Sequence, residues 1–176
     1  MELDQLSAIA EILGAVATIA GLLFLSIQVR DNTKVTRTST LASMLEDARD
    51  RTAGQLCSNP EVSDIVARGC SSIDMLDDKE QLRFTFFIME TVLHMQNVMQ
   101  LNEAKLLDKN DYLAWLGWTG AILRTPGARV IWPQVSAVIT PNISSVLKTH
   151  LKETQDFPML LDIMPVFDRR ESVGVA

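Results

Sequence analysis

The eighteen consecutive residues from Ile12 to Val29 carry no charge, and this run constrains the chain more than any other feature. At about 1.5 Å per residue, a helix of that length rises roughly 27 Å, close to the ~30 Å hydrocarbon core of a bilayer. Ala8 to Ala10 on one side and a snorkelling Arg30 on the other make up the difference. A cleavable signal would begin with basic residues, whereas Glu2 and Asp4 precede this run without any Lys or Arg. A core helix of a soluble domain would keep a polar face, and this one keeps almost none. The sequence predicts a transmembrane helix over residues 7–30, after a short external N-terminus over residues 1–6.

The flanks set an orientation. Arg30, Lys34 and Arg37 follow the run, and Asn32 and Thr33 lie between them. The positive-inside rule then puts the N-terminus outside and the rest of the chain in the cytoplasm. These five residues are the expected membrane-exit anchors. Arg30, Asn32 and Thr33 are placed either to meet lipid phosphate or to satisfy backbone groups where the helix leaves the bilayer.

The run is also patterned. Ser7, Ala10, Gly14, Ala17 and Gly21 recur at alternating steps of three and four, a heptad seam built from small residues. Ile9, Ile12, Val16, Ile19, Leu23 and Ile27 fall on the opposite side and suit lipid. Helices in a membrane associate by close packing, which small side chains permit, and a 3.5-residue period implies a left-handed crossing. The seam predicts self-association or docking on a partner's helix, although Gly and Ala are also simply common in such helices. An overlapping line, Glu11, Thr18, Leu25 and Gln28, would present a carboxylate, a hydroxyl, an apolar constriction and an amide to the lumen of a small oligomeric channel. The plainer reading is an interfacial carboxylate, cheap at the edge of a span, with isolated polar residues above it.

After Arg30 the pattern stays helical. No Gly or Pro lies between Arg30 and Thr52, so the first helix either continues or restarts near Ser39, with a kink favoured by the Thr-rich stretch 33–40. Asn59 with Pro60 opens a short helix, for which Gly69 is the expected stop. Asp77 and Glu80 form a capping box at the head of a long central helix. Asp108, Thr125–Pro126 and Thr140–Pro141 mark three further starts, and Pro133 should bend or split the segment between the last two. No strand pattern or repeat emerges. The expected fold is all-α: one N-terminal transmembrane helix, a cytoplasmic helical bundle over residues 31–155, and an extended C-terminal tail over residues 156–176.

The chemistry-bearing residues are sparse. A net charge of −6 disfavours nucleic acid, which needs clustered Lys and Arg. Glu90 and His94 are i, i+4 neighbours that could do acid–base work or hold a metal, yet no second Glu-x-x-His motif accompanies them, and a buried polar pair is the simpler reading. Met89, Met95 and Met99 beside them read as core packing rather than soft-metal ligands. Cys57 and Cys70 have neither metal-site spacing nor a neighbouring His, and fit free thiols in a reducing compartment. Trp115, Trp118 and Trp132 suit core or rim packing, or the edge of a partner groove. No phosphate loop or nucleophile elbow is present. The sequence thus predicts no catalytic, cofactor or metal residues and no enzyme.

Residues 9–38 resemble the opening of a widespread group of uncharacterised bacterial single-span membrane proteins. That group has an EIIGAIA-type start, an apolar run and a Q-[IV]-R-x-N-T-[KR] exit. The matching residues are Glu11, Ile12, Gly14 and Ala15, then Gln28, Val29, Arg30, Asn32, Thr33 and Lys34. Weaker similarity follows in N-P-E-V near Pro60, L-L-D at Leu106 to Asp108, and R-T-P-G-A-R-V-I-W from Arg124 to Trp132. The resemblance implies an anchor with a cytoplasmic helical domain and assigns no activity. Together, the residues and the resemblance lead to a non-enzymatic protein of the bacterial inner membrane. Its partners are membrane lipid and either copies of itself or a larger membrane complex, in which it would be an accessory or scaffold subunit.

Overall fold

The computed structural model describes residues 3–50, 56 and 58–169. For residues 3–10, 45 and 49 only the helical backbone is described. Among the described residues there are seven α-helices and no strand: α1 Leu3–Arg49, α2 Pro60–Ser71, α3 Asp78–Glu103, α4 Lys109–Leu123, α5 Pro126–Val138, α6 Pro141–Glu153 and α7 Leu160–Ile163. The chain divides into two compact units, Met1–Ser43 and Met44–Ala176.

In the first unit the helix runs unbroken through the Thr-rich stretch. Thr33, Thr36 and Thr38 donate their hydroxyls to the carbonyls of Val29, Asn32 and Lys34 at 2.8, 2.9 and 3.0 Å. Each side chain is thereby satisfied one turn back on its own helix, although such back-bonding weakens a helix slightly rather than favouring it.

The second unit is built around α3, which contacts α2, α4, α5 and α6. Phe84, Ile88, Val92, Met95 and Met99 follow steps of four, four, three and four. Together with Val98 they are the buried residues of this helix. Each such side chain removed from water stabilises the fold by about 1.5–3 kcal/mol. Apolar residues of α3 also lie outside this buried set. Leu82, Phe86 and Leu93 are 59%, 61% and 41% exposed, so its burial follows one broad stripe.

The caps at Asn59, Asp77 and Asp108 form, whereas Thr125 and Thr140 make no side-chain cap hydrogen bond. Asn59 Oδ1 accepts from the Glu61 and Val62 amides, and Asp108 Oδ1 from Asn110. In the capping box Asp77 Oδ1 accepts from the Lys79 and Glu80 amides, while Glu80 Oε2 accepts from the Asp77 amide at 3.0 Å. Glu80 has a second task. Arg68 of α2 grips it with two N–H groups at 2.6 and 3.0 Å, and also donates to Asp64 at 2.7 Å and to the Met75 carbonyl at 2.6 Å. This bidentate pair ties the C-terminal turn of α2 to the first turn of α3.

The Arg68 guanidinium, helped by the Asp77 amide, holds the Glu80 carboxyl down to about 2 from its ordinary 4.5. A depressed carboxylate contributes stability that is complete above its unfolded pKa and is lost as the folded group protonates. The Arg68–Glu80 contribution should therefore be full above about pH 5 and fade between there and about pH 2. Urea midpoints of the full chain in a neutral detergent check this. The gap between wild type and Glu80→Gln should narrow steadily across that window, and a constant gap contradicts it.

Two glycines mark where α2 and α5 cross. A Cβ on Gly69 would lie 2.6–2.9 Å from the Phe84 ring, and one on Gly127 would lie 1.8 Å from the Gly69 carbonyl oxygen. Gly69 is therefore not the stop it resembles. α2 continues to Ser71, and Gly69 serves as the contact point for two neighbours. Pro133 likewise does not split its segment. It sits inside α5 with itself and Arg129, the residue one turn earlier, both exposed. Water can then serve the carbonyl that Pro133 leaves without a donor.

The stretch expected to lie extended after residue 155 folds instead into α7 and a 3-10 turn over Pro165–Phe167, with Leu160 and Leu161 buried. Ser71 Oγ accepts the Arg169 amide at 2.8 Å and lies 3.2 Å from the Phe167 carbonyl, which pins this segment to α2.

Candidate functional site

Every described side chain from Glu11 to Ser39 is exposed. The most apolar eighteen-residue window of this helix has a mean hydropathy of 2.2, and none of it is buried within the chain. Ile12, Val16, Ile19, Leu23 and Ile27 are 59–64% exposed. So much uncovered apolar surface is unfavourable in water at about 25 cal/mol per Å2 and favourable in lipid. This is one helix with the length and composition to cross a membrane.

On the seam, a Cβ added to Gly14 or Gly21 would meet nothing within 4 Å. Ala17 between them is exposed. Ser7 and Ala10 continue the seam along the α1 backbone, and their side chains lie outside the described residues. On the overlapping line, Glu11, Thr18, Leu25 and Gln28 are all exposed. Thr18 donates its hydroxyl to the Gly14 carbonyl at 2.8 Å, so its proton is already used within the helix. Of the exit anchors, Arg30, Asn32, Lys34 and Arg37 are exposed, and the Thr33 hydroxyl is spent on the Val29 carbonyl.

The helical unit holds a cavity of about 490 Å3 between α2, α3, α4 and the C-terminal segment. Val66, Phe86, Phe87, Trp115, Trp118 and Leu160 supply apolar wall, and Glu90 and His94 reach its lining from α3. The His94 ring meets Trp115 edge-on with centroids 4.7 Å apart. The structure therefore brings the i, i+4 pair together with two of the three tryptophans. Such a wall accommodates an apolar group with a polar end. Among the described residues, no three of His, Cys, Asp and Glu gather as a metal site. Met95 and Met99 are core residues, as expected of them.

Cys70 is fully buried, and burial pushes its thiol up to about 12, against a smaller opposing hydrogen bond with Thr125. Cys57 lies outside the described residues. At pH 8 only about one Cys70 in ten thousand is then a thiolate, the nucleophilic form. In a Cys57→Ser chain, iodoacetamide should leave Cys70 unmodified when folded and alkylate it fully in urea, as read by intact mass. Rapid alkylation of the folded chain would contradict the burial.

One feature escaped the sequence reading. Arg124, at the C-terminal end of α4, is only 5% exposed. It donates to Thr154 Oγ1 at 2.7 Å and to the Pro158 carbonyl at 3.2 Å, while its Nε is buried without a partner. Burial, and then Arg129, lower its affinity for a proton. Beside it His150 is shifted the same way, first by burial and then by Arg124, and its Nε2 is also buried without a partner. The only signal in the sequence is the R-T-P-G-A-R stretch, which has no periodicity to reveal a buried charge.

Compared with known proteins, the chain matches no family model, no curated protein and no solved structure.

Proposed function

We propose that this chain is a non-enzymatic, single-span protein of the bacterial inner membrane, N-terminus outside, that assembles through the seam of α1. The helical domain is then the cytoplasmic interaction module of a scaffold or accessory subunit. The observation that carries this reading is that the small residues Gly14, Ala17 and Gly21 lie on one line of a helix whose described side chains up to Ser39 are all uncovered. Glycine inside a helix costs up to about 1 kcal/mol relative to alanine. Gly69 and Gly127 have an internal reason to be glycine, since a neighbour occupies the place of a side chain. Gly14 and Gly21 have none within the chain; Gly117 is as open, but only they fall on a line of small residues with Ala17 along an uncovered helix, where a second helix would supply one. The basic residues Arg30, Lys34 and Arg37 support the orientation.

The channel reading has no separate observation behind it: Glu11, Thr18 and Gln28 are as exposed as the rest of this helix, and the Thr18 hydroxyl, although it donates to Gly14, keeps its lone pairs. The deciding experiment is the native mass of the gently extracted full chain in lipid nanodiscs, with co-purifying chains identified. A discrete homo-oligomer supports seam pairing between copies. Stoichiometric recovery with another membrane protein supports the accessory role. A monomer with no companion overturns the proposal.

A further inference from the structure

We propose that the cleft at the C-terminal end of α4, lined by Arg124 and Arg129 and closed by the turn at residues 155–159, binds a phosphate group. The starting point is a buried charge without a counter-charge. A guanidinium stays protonated in proteins and has five N–H donors to satisfy. Arg124 is 5% exposed, and the two acceptors it reaches, the Thr154 hydroxyl and the Pro158 carbonyl, are both neutral. Its Nε is left buried and unpartnered. Among the described residues no carboxylate forms an ion pair with it. A buried cation left in that condition is costly, and proteins ordinarily give it a partner.

Two further observations point to an oxyanion as that partner. Arg129 lines the same cleft and is exposed, so a second fork of donors can close on a ligand from the solvent side. The cleft is open to solvent and offers about 250 Å3, against the ~30 Å3 share of one water molecule. It therefore has room for a phosphate with a substituent. Asp156 and Asp162 also line the cleft, and both are exposed. Asp162 Oδ2 is engaged with the Met159 amide at 3.0 Å. Two carboxylates at the edge oppose a polyanion, so the cleft suits one phosphate group rather than a polyphosphate chain.

Either a soluble phosphoester or a lipid headgroup can supply that phosphate, and two arms of one experiment separate them. The readout is the Arg124 Nε–H resonance of the full chain, which reports the unpartnered donor itself. In a maltoside detergent free of phosphate, inorganic phosphate and then glycerol 3-phosphate are titrated at constant ionic strength to about 20 mM, the range of weak single-site binding. In parallel, nanodiscs of phosphatidylglycerol are compared with nanodiscs of a phosphate-free galactolipid. A saturable shift in the first arm identifies a soluble ligand, and a shift confined to phosphatidylglycerol identifies a headgroup. Arg129→Ala changes only an exposed side chain and should weaken either response at least tenfold without altering the melting temperature. If neither arm moves the resonance, or if Arg129→Ala leaves the response unchanged, Arg124 is only a strut joining α4 to α6 and the tail, and the proposal fails.

Discussion

Gly127→Ala should cost the helical domain about 3 kcal/mol, the upper end for overpacking and a large share of the roughly 5–15 kcal/mol by which a domain is usually stable. The added methyl would sit 1.8 Å from the Gly69 carbonyl oxygen, 3.0 Å from its carbon and 3.3 Å from the Ile73 nitrogen. All three are backbone atoms, so no rotamer change can clear them. The first turn of α5 must instead move off the last turn of α2. That movement loosens Ala128, Ile131 and Val135 on one side and Ile65, Val66 and Cys70 on the other, all of them buried. Overpacking of this kind is costly because close-packed interiors give way only by shifting whole elements.

Gly117→Ala is the matched control. Its Cβ meets nothing within 4 Å in the middle of α4, so alanine should stabilise by about 0.4–1 kcal/mol. Chemical unfolding followed by tryptophan fluorescence, with Trp115, Trp118 and Trp132 all in this unit, measures both. A Gly127→Ala midpoint equal to that of the wild type would mean that α2 and α5 do not cross here.

That crossing shows where sequence stops being informative. Helix starts were legible because their determinants are local. A cap at Asn59, Asp77 or Asp108 needs only the two or three amides that follow it, and Pro60, Pro126 and Pro141 fix their own φ. The long apolar helix was legible because eighteen uncharged residues suit lipid in any fold. Gly69 was misread because a C-terminal stop and a close crossing ask for the same residue. Only the approach of Phe84 and Gly127, distant in the chain, tells them apart. The tail was misread for a related reason. Pro158 and Pro165 forbid a long helix but permit the short turns that bury Leu160 and Leu161.

Of the candidate sites, the seam was legible as spacing, and Glu90 and His94 as an i, i+4 pair. Their meeting with Trp115 and Trp118 depends on how α4 lies against α3, which no local pattern encodes. Arg124 was the hardest to see. Charged residues are normally exposed, and only the surrounding fold reveals one that is not.

Replacing Gly14 and Gly21 together with Leu should weaken self-association in lipid by roughly 30- to 1000-fold, about 2–4 kcal/mol. Close helix approach gains from many atom contacts worth about 0.1–0.2 kcal/mol each, and two isobutyl groups in the seam would hold the partner backbone too far away to make them. Loss of helix cannot explain the result, since Leu is the better helix former by several tenths of a kcal/mol. Fluorescence transfer between labelled copies in vesicles measures the shift. Val16→Leu and Leu23→Val, on the side facing lipid, should leave it unchanged. Single cysteines in a Cys57→Ser, Cys70→Ala chain give an independent check. Copies should cross-link through positions 14, 17 and 21 and not through 19 or 23. Equal cross-linking on both sides would mean collisions without a preferred face, and the glycines would then need another explanation. Cross-linking confined to the seam, but abolished when the partner chain of a co-purified complex is present, would mean that the same face serves docking. The heptad spacing would then describe the partner's helix as much as this one.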